Sequence, residues 1–277
     1  MTLITTALLV FFFIAGLKDD SLIGTAPALG YVTIEGTLTD SRETVRQLQN
    51  LSKNPAVKGI LIRVESPGGG VTAAHEIYQE IKRIRDSGKP VVVSMGTIAA
   101  SGGYYVAAPA TVIVANPGTL TGSIGVIMEL PIVRGFLDKL GMKVEVIKSK
   151  DAKDIGSPFR DMTDFDRRLL QGVVSDVYQQ FLEVVSSERS IPIDSLERIA
   201  DGRILTGRQA KAWGLVDTLG TLEEAKRILA ERCGIKGEPR WIKPRKRIQV
   251  WLERMLDDGM ARILGVPRYP RLLFQWF

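Results

Sequence analysis

Apolar and polar positions along this chain alternate between two periods. The stretch YVTIEG (31–36) places an apolar side chain at every second position, as a strand with one covered face does. SRETVRQLQNLSK then carries apolar residues at helical spacing, with Asp40 placed to cap it. VKGILIRVES (57–66) is a β-branched run that stops at PGGG, and VTAAHEIYQEIKRIRDSG after it returns to helical spacing. The alternation continues through a buried strand KPVVVSMG, a helical GGYYVAAPA, strands ATVIVANPG and GSIGVIME, a helix near 133–140 and a strand KVEVIKS. DMTDFDRRLLQGVVSDVYQQFLEVVSSERS predicts a long amphipathic helix capped by Thr163 or Asp164, with a face suited to the sheet or to a neighbouring subunit. After DGRILTGRQAKAWGLVDTLG comes a last helix, TLEEAKRILAERCG, with Gly234 as its stop signal. Strands alternating with helices at short spacing predict an α/β fold, a parallel sheet flanked by helices and joined by right-handed crossovers.

Composition adds limits to this picture. A chain of 277 residues that is 45% apolar and 25% charged can bury a sizeable core and is not a disordered one. The single cysteine, Cys233, excludes an intramolecular disulfide and any multi-cysteine metal site, and its place in a helical run reads as inert. The net charge of +6 is unevenly placed. Residues 239–277 hold nine Lys/Arg against three Asp/Glu, which leaves 28 of each sign in the rest. That tail, with RWIKPRKRIQVWLERML and RLLFQWF, mixes basic and aromatic residues in a way that suits an anionic membrane surface and also nucleic acid. Residues 1–17, MTLITTALLVFFFIAGL, carry no charge, and as a helix they would be about 26 Å long, close to the thickness of a bilayer core. No basic n-region precedes them and no good small-residue cleavage site follows, so they read as an uncleaved anchor. The expected organisation is therefore an N-terminal transmembrane helix (1–18), a linker (19–30), a catalytic-type domain (31–238) and a basic aromatic tail (239–277).

Two strand ends open into glycine, ESPGGG (65–70) and AASGG (99–103). Glycine lets a backbone approach a ligand closely, and a helix beginning there points free N–H groups outward, toward a phosphate or the oxyanion of an acyl-transfer intermediate. The phosphate reading fails for lack of GxxxxGK[ST] or GxGxxG. The oxyanion reading gains from Ser101, a hydroxyl at a strand-to-helix junction. Serine needs a base. The only histidine, His75, falls beside Glu76 in a helical run and reads as a surface residue, so the base is sought among lysines whose pKa burial lowers. KVEVIKSKDAKDIGSP offers Lys143, Lys148, Lys150 and Lys153, and physical reasoning alone does not choose among them.

Several separated blocks, SPGGG, GTIAASGGYYVA, TGSIGV, KSKDAKDIGSPFRDMT and DGRILTGRQAKAWGLVD, together resemble the signal peptide peptidase A (protease IV) family of Ser-Lys serine peptidases, over roughly 31–233. The resemblance implies a ClpP/crotonase-like core in which Ser101 is the nucleophile and Lys153 the general base. It implies that Ser123 orients the lysine, and that the backbone N–H groups of Gly69 and Gly102 form the oxyanion hole. No cofactor or metal is implied. Asp151 and Asp154 flank Lys153 and would raise its pKa, so both are expected to point away, with apolar burial prevailing in the assembled site. Short members of the family are expected to form homo-oligomeric rings with serine and lysine shared between adjacent subunits. The implied substrates are remnant signal peptides and other apolar peptides at the cell membrane. Membrane lipid is the other expected partner and nucleic acid is not expected. The catalytic domain is expected outside the cytoplasm on a single-pass anchor. Three alternatives make different demands: a crotonase-like acyl-CoA enzyme, a membrane protease cleaving stomatin-like partners, and a non-enzymatic scaffold acting through its tail.

Overall fold

The computed structural model describes residues 27–244 and the backbone of 272–275. In chain order its elements are β1 (Ala28–Glu35), α1 (Arg42–Lys53), β2 (Val57–Ser66), β3 (Gly68–Gly70), α2 (Val71–Asp86), β4 (Val91–Ala100), α3 (Gly102–Ala107), β5 (Val112–Ala115), β6 (Leu120–Gly122) and β7 (Ile127–Met128). There follow α4 (Arg134–Lys139), a 3-10 turn (Asp151–Asp154), α5 (Asp164–Arg189), α6 (Ile193–Leu196), β8 (Ile204–Thr206), α7 (Gly207–Ala212), β9 (Thr218–Leu219), α8 (Leu222–Arg232), β10 (Arg240–Ile242) and β11 (Leu272–Gln275).

The main sheet runs β10-β1-β2-β4-β5-β9, with β6 beside the second half of β4 and β8 beside β6. Alternating side chains of these strands feed two cores, as the pleat requires. Leu29, Leu61, Val92, Val112 and Val114 pack under Ala225 and Leu229 of α8. Ile60, Ile62, Val93 and Ile113 point the other way, toward Leu48 of α1, Ile77 and Ile81 of α2, Tyr104 of α3 and Phe181 of α5. Cys233 ends α8 half-buried over Gly59, where burial pushes its thiol pKa up, as suits an inert thiol.

Several expectations need correction. The sheet is mixed, not parallel throughout. Ser123 N donates to Arg203 O and Gly202 N to Ile124 O, so β8 begins where β6 ends and runs back antiparallel to it. GSIGVIME is not one strand: Gly122 ends β6 and only Ile127–Met128 forms β7, because Ser123 after Gly122 takes φ 50° and breaks the pleat. KVEVIKS forms no strand. It has the right alternation but pairs with no edge among the described residues, and Val144, Val146 and Ile147 remain 47%, 48% and 101% exposed. The cap of α1 is Ser41, while Asp40 accepts from Arg42 N one position outside it. Arg240–Ile242, assigned to the tail, forms the sheet edge beside β1.

The long helix α5 starts at a capping box in which Thr163 Oγ1 accepts from Asp166 N and the Asp166 carboxylate accepts from Thr163 N. Its second half enters the core through Val177, Phe181, Leu182 and Val185, whereas Phe165, Leu169 and Val173 in its first half remain exposed. Among the described residues no helix is long and apolar enough to cross a membrane. The expected anchor at 1–18 lies outside the described residues.

Candidate active site

Ser101 sits where β4 turns into α3. It is 1% exposed, and its backbone is left-handed, φ 54° and ψ −118°. A non-glycine residue held there carries roughly 1–3 kcal/mol of strain, which persists only when the surroundings enforce it. Enforcement comes from both sides: Ser101 N donates to Gly122 O at 2.8 Å and Tyr105 N donates to Ser101 O at 2.9 Å. Its Oγ is buried with no hydrogen-bond partner among the described residues. A buried hydroxyl left unpaired is costly and marks a position kept for something other than stability.

Glycines bring neighbouring backbone against this serine. A Cβ at Gly103 would lie 2.5 Å from Ser66 O, so the β2–β3 corner presses directly on the start of α3. Gly102 is the first residue of α3, where an N–H has no acceptor within the helix. Gly69 has φ 151°, and a Cβ there would meet Leu38 N and O at 2.5 Å. Leu38 N donates to Gly68 O and Gly70 N donates to Leu38 O. By strand alternation, the N–H and C=O of Gly69 itself therefore face the other edge of β3. Along that edge runs β11, antiparallel to both β3 and β7, with Phe274 opposite Gly69 and Leu273 opposite Ile127. The space between β3 and β7 thus accepts an extended peptide by strand addition.

Ser123 follows Gly122 as Ser101 follows Ala100, and Ala100 and Gly122 are register partners. The two serines therefore leave adjoining parallel strands at their carboxyl ends, the end at which open α/β sheets bind ligands. Beside Ser123 opens a cleft of about 500 Å³ lined by Gly125, Ile127, Ser175, Tyr178 and Asp201 among others. A cleft of similar size between α1 and α2 is lined by His75 and Glu76 among others and includes none of the residues given a catalytic role.

Lys153 lies on the 3-10 turn and is exposed within the single chain. With Ser101 Oγ unpartnered, the two are not joined in one protomer. Asp154, a flanking carboxylate, faces other cations: Lys148 Nζ donates to it at 2.8 Å and Arg160 Nε at 2.9 Å. Hydrogen bonds from Arg160 and Lys148 push the Asp154 pKa down to about 2. Arg160 also bonds Asp166, pushing its carboxyl well below the usual range and tying the lysine turn to the start of α5. Around this turn Phe136, Leu140, Met142 and Phe159 are 63%, 57%, 54% and 44% exposed, an apolar surface that a lone chain does not cover. His75 is exposed, its Nδ1 2.9 Å from Tyr105 Oη, and it makes no bond to Ser101. Among the described residues no cluster of His, Cys, Asp and Glu could hold a metal.

Sequence reasoning passed over Glu65, whose carboxylate reaches into the backbone of β4 just before Ser101. The one available signal was an acid near the end of a β-branched strand, just before the glycine run.

Fold and site together define a Clp-protease-like α/β core that presents a buried serine at the carboxyl end of its sheet, and the Clp protease family pattern matches residues 31–117. The pattern of peptidase family S49 matches residues 83–236, more than half of the chain, and the chain belongs to that family. It is 41% identical over 196 residues to a protein of Methanocaldococcus jannaschii named as a protease, covering 71% of this chain and 63% of that one. It is 37% identical over 212 residues to a Synechocystis protein also named as a protease, covering 76% of each. To the chloroplastic serine protease SPPA of Arabidopsis thaliana it is 33% identical over 207 residues, 74% of this chain and 30% of the plant protein. The plant protein carries the name of the signal peptide peptidase A family, which the sequence blocks resemble.

Proposed function

We propose that the chain is a membrane-anchored serine endopeptidase in which Ser101 attacks the peptide bond and Lys153 of an adjacent subunit serves as base. The observation that carries the reading is Ser101 itself: a strained, buried hydroxyl without a partner among the described residues, close to a backbone edge of β3 that pairs with an extended strand. Substrate would enter that groove extended between β3 and β7, the position taken by Leu272–Gln275. The neutral Lys153 amine accepts the Ser101 proton as Oγ bonds to the scissile carbonyl carbon. The Gly69 and Gly102 N–H groups stabilise the oxyanion, and Ser123 orients the lysine. Lys153 then protonates the leaving amine, and water activated by the same lysine releases the acyl group from Ser101.

Sharing between subunits is supported by two features of the protomer, the lack of any hydrogen bond between Lys153 and Ser101 Oγ and the exposed apolar side chains of Phe136, Leu140, Met142 and Phe159. Burial of that surface against a second copy would also exclude water from around Lys153. Apolar segments such as remnant signal peptides suit a groove built on main-chain pairing, and residues 1–18 with the basic tail would keep the enzyme where such peptides collect, its catalytic domain outside the cytoplasm. Membership of a peptidase family favours this over the acyl-CoA alternative.

A fluorophosphonate probe tests the reading. It should add covalently to the Ser101 peptide of the full chain, and Ser101→Ala should lose both the adduct and hydrolysis of an apolar peptide. Hydrolysis persisting in Ser101→Ala would overturn it.

A further inference from the structure

The strand that ends at Ser101 changes partners on its way. The first half of β4 pairs with β5, with Ser94 and Val114 the last register partners, and the second half pairs with β6 from Ile98 and Leu120 onward. On its other edge β4 follows β2 regularly to Val64 and Met95, and the next register pair is Ser66 and Ala99. Three residues of β4, Gly96, Thr97 and Ile98, thus stand opposite the single residue Glu65. This is a bulge at the point of the switch, of the kind that re-aims a strand next to a functional side chain.

Bulged residues lose their ladder acceptors, and a side chain supplies them here. Glu65 Oε2 accepts from Thr97 N at 2.9 Å and Oε1 accepts from Ile98 N at 3.1 Å. The carboxylate fits only because residue 96 is glycine, since a Cβ at Gly96 would lie 1.7 Å from Glu65 Oε2. The other side of the bulge is held as well. Arg63 Nη1 donates to Met95 O at 3.0 Å and to Ser94 Oγ at 2.8 Å, and Thr119 Oγ1 donates to Gly96 O at 2.7 Å. Three residues beyond Ile98, the redirected strand delivers Ser101 beside Gly122 and Ser123.

We propose that Glu65 is a positioning residue for the peptidase reaction: its carboxylate clamps the two N–H groups of the β4 bulge and thereby fixes the strand switch that aims Ser101. The proposal rests on Ser101 being the nucleophile. Glu65 does not touch the reacting atoms. Its hydrogen bonds to the bulge are charge-assisted and shape a corner that loop packing alone would leave free to shift. A shift of about 1 Å at a nucleophile costs on the order of a hundredfold in rate.

The test uses the full chain and measures kcat, KM, the rate of fluorophosphonate labelling of Ser101, and amide hydrogen exchange at Thr97 and Ile98. For Glu65→Ala the expected result is a fall in kcat and in labelling rate of about thirty- to a hundredfold with KM within twofold, and exchange at the two amides at least tenfold faster. Glu65→Gln, which keeps one acceptor, should lie between, with a smaller loss in kcat. Gly96→Ala should reproduce the Glu65→Ala defect by expelling the carboxylate, and the double variant should be no worse than Glu65→Ala alone. Exchange at Thr97 and Ile98 unchanged in Glu65→Ala, or labelling and kcat within twofold of the parent, would overturn the proposal. If Ser101→Ala retained full turnover, the nucleophile assignment would fail first, and the exchange result would still decide whether the clamp exists.

Discussion

Ser101 and Ser123 stand side by side at the carboxyl ends of two parallel strands, both in the left-handed region at φ 54° and φ 50°, with Ser101 N bonded to the carbonyl of Gly122, the residue before Ser123. Neither conformation is one a serine adopts freely, so the fold spends stability to hold both hydroxyls in place.

That strain gives the first prediction. Replacing Ser101 by glycine removes the conformational penalty of a side chain at positive φ, against which stands glycine's extra freedom in the unfolded chain, worth about 0.5–1 kcal/mol. Ser101→Gly should therefore be at least as stable as the parent in urea denaturation while losing all peptide hydrolysis. Ser101→Ala keeps the strain and should gain only what removal of the buried, unpaired hydroxyl returns, so the glycine variant should be no less stable than the alanine one. A marked loss of stability in the glycine variant would show that the left-handed geometry is not strained.

Gly69→Ala places a methyl group 2.5 Å from the Leu38 backbone and displaces the N–H meant for the oxyanion. Losing one such donor costs about a hundred- to a thousandfold in kcat. Steady-state kinetics should show that loss with the protein still folded by circular dichroism. Activity within tenfold of the parent would remove Gly69 from the oxyanion hole.

The register of β11 makes a prediction about substrate access. Phe274 lies opposite Gly69, in the place a substrate residue would take. Phe274→Pro removes the N–H needed for pairing there, because proline has none to donate. In the full chain this variant should bind an added apolar peptide more tightly, with KM several-fold lower and kcat little changed. An unchanged KM would mean that Leu272–Gln275 does not compete for the groove.

The lysine turn should be insensitive to mild acid. Hydrogen bonds from Arg160 and Lys148 hold the Asp154 pKa at about 2, below its unfolded value of about 4. A carboxylate depressed on folding contributes stability that is fully present above the unfolded value and is lost as pH falls through the folded one. Urea midpoints should thus hold from neutrality to about pH 4 and decline between there and about pH 2, and Asp154→Asn should flatten that decline. An equal slope in parent and variant would show that Asp154 does not contribute to it.

Much of the core was legible in the sequence because its periods were clean. Residues 57–66 read as one strand and are one, and the stop at Gly234 follows α8 as expected, with φ 65° there. What escaped depended on partners distant in sequence. The antiparallel return of β8 follows from the Ser123–Arg203 and Ile124–Gly202 contacts, which no local pattern encodes. KVEVIKS has a strand's alternation, but strands need an edge, and it pairs with none among the described residues. β3 consists of three glycines, invisible to any pattern of side chains, and its partnership with β11 joins residues about 200 positions apart. At the site, Ser101 and the glycines were readable from residue type and position, whereas the choice of Lys153 came from family resemblance alone. Glu65 was missed because its role is to hold backbone, which residue type does not announce.

The central claim is that Ser101 of one subunit works with Lys153 of another, and subunit mixing tests it most directly. Ser101→Ala and Lys153→Ala are purified separately, each inactive on an apolar peptide, then mixed under conditions that allow subunits to exchange. The account predicts that activity reappears on mixing, because an intact Ser101 then meets an intact Lys153 across an interface. A mixture as inactive as its components, with exchange verified by mass spectrometry of the mixed assemblies, would contradict it.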